Sequence, residues 1–215
     1  FAAVPESVLA AKPAAVSFED AAALPMAALT ALQALRDKGG IQPGQKVLIY
    51  GAGGGVGTFA VQLAKHFGAQ VTAVCGPGNV NLVRSLGADS VMDYTVGDIT
   101  KFKSYFDLVL AINGNLPLSD YKRVLAPEGV AVMVGGALSQ VVQFLVFGAL
   151  MSIGSKKMRF LSAKPCVKDL EFIIQLVEGG KVKPIIDKRF SLHETAQAVR
   201  YLSQGHARGK VVITV

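Results

Sequence analysis

The stretch Gly51-Ala52-Gly53-Gly54-Gly55-Val56-Gly57 has the clearest capacity for chemistry in this chain. Glycines at this spacing let the backbone turn tightly, approach a bulky anion closely and pack against neighbouring main chain, three demands that a side chain would obstruct. The chemistry is recognition of a dinucleotide's pyrophosphate by backbone N–H groups at the positive end of a helix dipole. A second such place is Cys75-Gly76-Pro77-Gly78-Asn79. A dinucleotide site that prefers NADH puts Asp or Glu there to hold the ribose 2′-OH. With no carboxylate to repel a 2′-phosphate, NADPH is the expected cofactor. Arg84 follows a turn later and Lys210 lies near the end of the chain, where it reads as a strand-end surface lysine with a phosphate contact as the alternative. His66, His193 and His206 are candidates by residue type alone and read as surface or capping residues.

These groups need a scaffold, and its rhythm is visible. The apolar run 46–50 enters the glycine cluster, and helical spacing follows over 58–67. Strand-like runs recur at 70–75, 90–94, 106–112, 129–135 and 158–162, with helices over 79–86, 118–125 and 168–178, the last stopping at Gly179-Gly180. The runs are apolar throughout instead of alternating, so both faces of each strand are covered, as in a parallel sheet. The expected class is α/β, a doubly wound Rossmann sheet of six parallel strands. The flanks differ. The start is a short apolar piece with a Pro-bearing connector, and the tail reads as strand 185–190, helix 194–203, turn 205–209 and strand 210–215. The division expected is 1–22 as a remnant of another unit with its connector, 23–183 as the dinucleotide-binding domain, and 184–215 as a return to that other unit.

With 215 residues, 51% of them hydrophobic and 17% charged, the chain can bury a sizeable core. Its 22 basic and 15 acidic residues give a net charge of +7, but the bases are scattered and form no block, so no nucleic-acid partner is expected. Cys75 and Cys166 are far apart and no histidines cluster, so neither a disulfide framework nor a zinc site is written here, and a reducing, cytoplasmic location follows. The longest apolar run, 141–151, is too short to span a bilayer. It is expected to form a buried or subunit-interface helix, with membrane-surface contact as the lesser alternative.

Several motifs together resemble the medium-chain dehydrogenase/reductase superfamily, and within it the zinc-independent NADPH:quinone oxidoreductase branch, similar to zeta-crystallin. They are Val4-Pro5-Glu6, Phe18-Glu19-Asp20-Ala21-Ala22, Leu24-Pro25-Met26-Ala27-Ala28-Leu29-Thr30-Ala31, the glycine loop, Ser85-Leu86-Gly87-Ala88-Asp89, Asp93-Tyr94, and the terminal stretch from Gly205 to Thr214. The resemblance implies that the flanks are remnants of a GroES-like catalytic domain whose N-terminal part is missing. In zinc-dependent members a cysteine ligand stands where this chain has Met26, and a thioether is a poor Zn²⁺ ligand, so no metal is expected. The resemblance places Gly53, Gly54, Gly55, Val56, Gly57, Gly76, Asn79 and Tyr94 at the phosphates and adenosine. It places Thr30, Asn115, Gly135, Gly136 and Ala137 on the nicotinamide side. The implied reaction is hydride transfer to a quinone or an α,β-unsaturated carbonyl, in a homodimer, with no catalytic side chain named. Two alternatives stand beside it, an enoyl reductase domain of a polyketide or fatty-acid synthase and a non-catalytic NADPH-binding or redox-sensing module.

Overall fold

Alternate residues of β1 (Lys46–Tyr50) serve two different cores, which is why the strand shows no polar alternation. Val47 and Ile49 pack in one apolar cluster with Leu32, Phe59, Leu63 and Ile173, while Leu48 and Tyr50 pack in a second with Phe106, Tyr121 and Leu125. The computed structural model describes residues 3–114, 116–136, 154–205 and 207–215. Around β1 lie β2 (Gln70–Cys75), β3 (Ser90–Asp93), β4 (Phe106–Ile112), β5 (Leu125–Val134) and β6 (Lys157–Phe160). All adjacent strands are parallel, in the order β3-β2-β1-β4-β5-β6. The order reverses at β1, and a crevice forms outside the carboxyl ends of the strands at such a switch point. The α/β class expected from the sequence is the one observed.

Helices cover both faces. α1 (Phe18–Ala23) packs beside the later segment Lys210–Thr214, and on one face of the sheet lie α2 (Ala27–Gln33), α3 (Gly55–His66) and later α6 (Val167–Glu178), with α4 (Val80–Ser85) after β2. On the other, α5 (Leu118–Val124) seats Leu118, Tyr121 and Val124. Among these, α1 and α2 were not foreseen. Every residue of α2 is buried, so it carries no polar stripe to betray a helical period. Its last turn loosens into a π-helical segment, Ala34–Gly39, that ends on Gly40 at φ +66°. β5 also starts earlier than expected, because Leu125 pairs with Phe106 before a register shift carries the ladder on to Val130.

The tail forms β7 (Ile186–Ser191), α7 (Thr195–Ser203) and β8 (Lys210–Thr214), with β7 and β8 a separate two-stranded parallel sheet. The entry to α7 is fixed by a capping box in which Ser191 and Glu194 satisfy each other's backbone. Arg189 of β7 meets Glu19 of α1 at 2.6 Å, joining the two ends of the chain. The run 141–151, expected as an interface helix, lies outside the described residues, as do Asn115, Ala137 and His206. Among the described residues no helix is long and apolar enough to cross a membrane.

Candidate functional site

The crevice is a cleft of about 720 Å³ at the carboxyl ends of β1, β2 and β4. Its floor is the glycine loop. Gly51 sits at φ +83°, and a Cβ there would run into the carbonyl of Ile112, so only glycine lets the chain leave β1 so close to β4. The N–H groups of Gly51 and Ala52 both donate to the carbonyl of Val74, at 3.0 and 2.9 Å, which fixes the loop to β2. Gly57 faces inward. A Cβ there would strike the carbonyl of Gly51 and come within 2.6 Å of Ala52 Cα, so this glycine lets α3 lie flat on the loop, and it is not among the residues that line the cleft. The N-cap, Gly54, brings no side-chain oxygen to the first turn of α3. The helix therefore starts with its positive dipole end in a cleft walled by Gly54, Gly55 and Val56.

The next wall comes from the residues after β2. A Cβ on Gly76 would lie 3.1 Å from the hydroxyl of Tyr94, and one on Gly53 would lie 2.5 Å from Asn79 Nδ2. Asn79 Oδ1 is buried, and among the described residues no hydrogen-bond donor reaches it. Cys75 lines the cleft as a buried thiol, raised to about 11 by burial and then by the charge of Asp93. Asp93 itself turns to Thr95, accepting from its N–H and hydroxyl, both at 2.8 Å.

The third wall was not foreseen. Gly205, Ala207 and Arg208, from the turn before β8, line the same cleft. A Cβ on Gly78 would lie 3.1 Å from Arg208 Nη2, so the guanidinium rests on the bare backbone of the loop that lacks a carboxylate. The turn is held by Asp187, whose Oδ2 accepts from the Arg208 N–H at 3.0 Å and the Tyr201 hydroxyl at 2.7 Å. Among the described residues no carboxylate pairs with the Arg208 guanidinium. The Gly209 N–H donates to the carbonyl of Gly53 at 3.1 Å, in a parallel bridge between Gly54 and Gly209. That bridge brings Lys210 in as well. A Cβ on Gly55 would lie 3.6 Å from its Nζ, and burial lowers the ammonium's pKa. The reading of Lys210 as a surface lysine is thus corrected to a half-buried cation over the start of α3.

Of the residues assigned from the sequence, Gly53, Gly54, Gly55, Val56, Gly76, Asn79 and Tyr94 line this cleft. Thr30 does not. It is buried in α2 and donates its hydroxyl to the Met26 carbonyl at 2.6 Å. Gly135 and Gly136 follow the carboxyl end of β5 at φ +68° and +134°. Asn113 also lines the cleft, left-handed at φ +48°, which this residue type tolerates better than most. His66 lies on the outer side of α3 against Phe67 and Phe172, and His193 in an exposed turn. The signal for Arg208 was the motif running from Gly205 to Lys210, but nothing local says that it folds back onto a loop so distant in sequence.

Known proteins bear on this geometry. The family model described as "Zinc-binding dehydrogenase" matches residues 86–213. The chloroplast envelope quinone oxidoreductase homolog of Arabidopsis thaliana is 36% identical over 99% of this chain and 67% of its own length. The mitochondrial NAD(P)H oxidoreductase RTN4IP1 of Bos taurus is 36% identical over 95% of this chain and 57% of its own. Among solved structures, the quinone oxidoreductase from Coxiella burnetii superposes with a TM-score of 0.84 at 30% identity, over 95% of this chain and 63% of that one. The chain thus spans between 57% and 67% of these relatives. With the family model matched over more than half of the chain and the relatives aligned along nearly all of it, the chain belongs to the zinc-binding dehydrogenase family.

Proposed function

We propose that this chain binds NADPH in preference to NADH and forms the cofactor-holding part of an oxidoreductase that passes hydride to a quinone or an α,β-unsaturated carbonyl. The observation that carries the preference is Arg208 resting on Gly78, with no carboxylate at the end of β2. A guanidinium there offers a planar fork to a 2′-phosphate, where an acidic residue would instead take the 2′-OH. Two further features fit a dinucleotide. The floor between Gly53 and Gly55 leaves backbone bare to a pyrophosphate under the dipole of α3 and the ammonium of Lys210. The unsatisfied Asn79 Oδ1 needs a donor, which a ribose hydroxyl supplies.

When bound, the cofactor supplies the hydride from its nicotinamide C4. The chain's own residues bind and orient. Gly53, Gly54, Gly55 and Val56 seat the pyrophosphate, and Gly57 keeps α3 close enough to present its start. Gly76, Asn79 and Tyr94 hold the adenosine ribose. Gly135, Gly136 and Thr30, with Asn115 and Ala137 from outside the described residues, belong to the nicotinamide side of this reading. No catalytic side chain is assigned. Met26 stands in place of a cysteine ligand, which makes the activity zinc-independent in this reading.

The division at 22/23 and 183/184, a homodimer and a cytoplasmic location complete the proposal. Sedimentation of a Phe144→Ser, Phe147→Ser variant tests the dimer, and cell fractionation tests the location against the chloroplast and mitochondrial names of the relatives. Calorimetric titration with NADPH and NADH side by side tests the cofactor. Tighter NADPH binding supports the reading, and equal affinities refute the preference while leaving the dinucleotide site in place.

A further inference from the structure

Asp187 is the second residue of β7 and stands half-buried beside the turn that enters β8. One of its oxygens, Oδ2, takes two donors, the Tyr201 hydroxyl at 2.7 Å and the Arg208 N–H at 3.0 Å. The tyrosine comes from the last turn of α7, and β7 seats its ring. Lys188 and Phe190, alternate residues on one face of that strand, both meet it, with Lys188 Nζ 4.0 Å from the ring centroid and the two ring centroids 6.2 Å apart. A ring so placed aims its hydroxyl at Asp187, and the bond to the carboxylate raises the hydroxyl's pKa, so Tyr201 remains a donor in neutral solution. Three stretches of the tail thus converge on one carboxylate, and none of them belongs to the glycine loop.

The electrostatics of this arrangement are unusual. A carboxylate next to an arginine ordinarily pairs with the guanidinium, and a guanidinium so paired has little charge to offer a ligand. Asp187 instead takes the main-chain N–H of Arg208. Among the described residues no carboxylate oxygen pairs with the guanidinium, which rests against Gly78 in the cleft. The Tyr201 hydroxyl is the second donor that the carboxylate would otherwise draw from that guanidinium.

We propose that Asp187 and Tyr201 are positioning residues for cofactor choice: together they hold the turn that presents Arg208 and keep its guanidinium unpaired for a 2′-phosphate. Neither lines the cleft, so both act only through Arg208. Selectivity is then set in the tail, by β7 and α7, and not in the sheet that carries the glycine loop. The choice of ligand rests on the NADPH reading above; the freedom of the guanidinium does not.

The test compares the parent chain with Tyr201→Phe and with the double variant Tyr201→Phe, Asp187→Asn, both of which keep the outline of the side chains they replace. Calorimetry gives the affinities for NADPH and NADH. Nitrogen-15 NMR of the free chain in mildly acidic buffer follows the Arg208 Nε–H signal, identified by its loss in Arg208→Gln. In Tyr201→Phe, Asp187 is expected to capture the guanidinium, so that the signal shifts and exchanges more slowly with water. NADPH affinity is expected to fall about three- to tenfold, with NADH affinity within about twofold of the parent. In the double variant the amide still accepts from the Arg208 N–H but has no charge to capture the guanidinium, so the signal returns and NADPH affinity recovers to within about twofold. A merely structural role predicts the reverse, since a second substitution in the same network adds to the damage. An unchanged signal in Tyr201→Phe, equal losses for both cofactors, or a double variant no better than the single one each overturns the proposal. A parent chain with equal affinities for both cofactors, whose signal still moves in Tyr201→Phe and returns in the double variant, refutes the NADPH reading alone.

Discussion

Replacing Arg208 by Gln removes one cation from the cleft and leaves the main chain of its turn in place, because Asp187 holds that turn through the backbone N–H. A charge-assisted hydrogen bond contributes about 1.5–3 kcal/mol and an exposed ion pair about 0–1 kcal/mol. Arg208 is exposed yet rests against Gly78 on one side, so we take about 1–2 kcal/mol, a loss of roughly 5- to 30-fold in NADPH affinity. NADH lacks the 2′-phosphate, and its affinity should stay within about twofold. Arg208→Lys should recover part of the loss, since it keeps the charge and loses the planar fork. Raising the salt should narrow the NADPH advantage of the parent chain and leave that of the variant flat. Lys210→Ala is the contrast, because a cation over the start of α3 meets the pyrophosphate common to both cofactors and should weaken both alike. Calorimetry of the parent chain and three variants with both cofactors gives every number. Equal losses for NADPH and NADH in Arg208→Gln, or no loss in either, would refute the reasoning.

Gly57→Ala drives a Cβ into the Gly51 carbonyl, and we expect a loss of about 1–3 kcal/mol in urea unfolding together with weakened cofactor binding; an unchanged midpoint would show that α3 has room to lift. Iodoacetamide at pH 8 should label Cys166 and spare Cys75, whose thiol stays protonated up to about pH 11 behind its burial; equal labelling rates read by mass spectrometry would contradict this. Asp169 and Asp89 are desolvated, which alone would raise them, but hydrogen bonds from Gln33 and Arg36 to the first and from Lys65 and the Val71 N–H to the second hold both below their ordinary values. With folded values depressed, their contribution is present above the unfolded value near about 4 and is lost as pH falls toward the folded ones. Thermal denaturation from pH 6 to pH 2 should therefore steepen below about pH 4, and Asp169→Asn should flatten that fall; parallel curves would remove Asp169 from the account.

What the sequence made legible was local. The strand, glycine run and helix around Gly51 to Gly57 each state their own conformation, because glycine spacing, apolar runs and helix breakers act over a few residues. The absence of a carboxylate after Cys75 was legible in the same way. Its counterpart was not, because Arg208 reaches Gly78 only after β8 has paired with β7 and its turn has met the glycine loop. The helix α2 escaped notice for another reason. A segment packed on all sides by α3, α6 and the sheet needs no polar face, so its Ala- and Leu-rich run carried no period. Asn113 shows a third limit, since its place in the cleft depends on a left-handed kink at the end of β4 that many residue types would have made costly.

The bond from the Gly209 N–H to the Gly53 carbonyl also has a meaning in time. A ribosome adding about 5–20 residues per second delivers the glycine loop roughly 8–30 s before it delivers Gly209. During that interval the six parallel strands can assemble, but the wall that carries Ala207, Arg208 and Lys210 does not yet exist. On the proposed reading, a cofactor that touches both the loop and this turn can do so only after the later-made turn has reached the earlier-made loop. Shortening the chain before Gly205 should leave a sheet that folds and a cleft that no longer closes on its ligand.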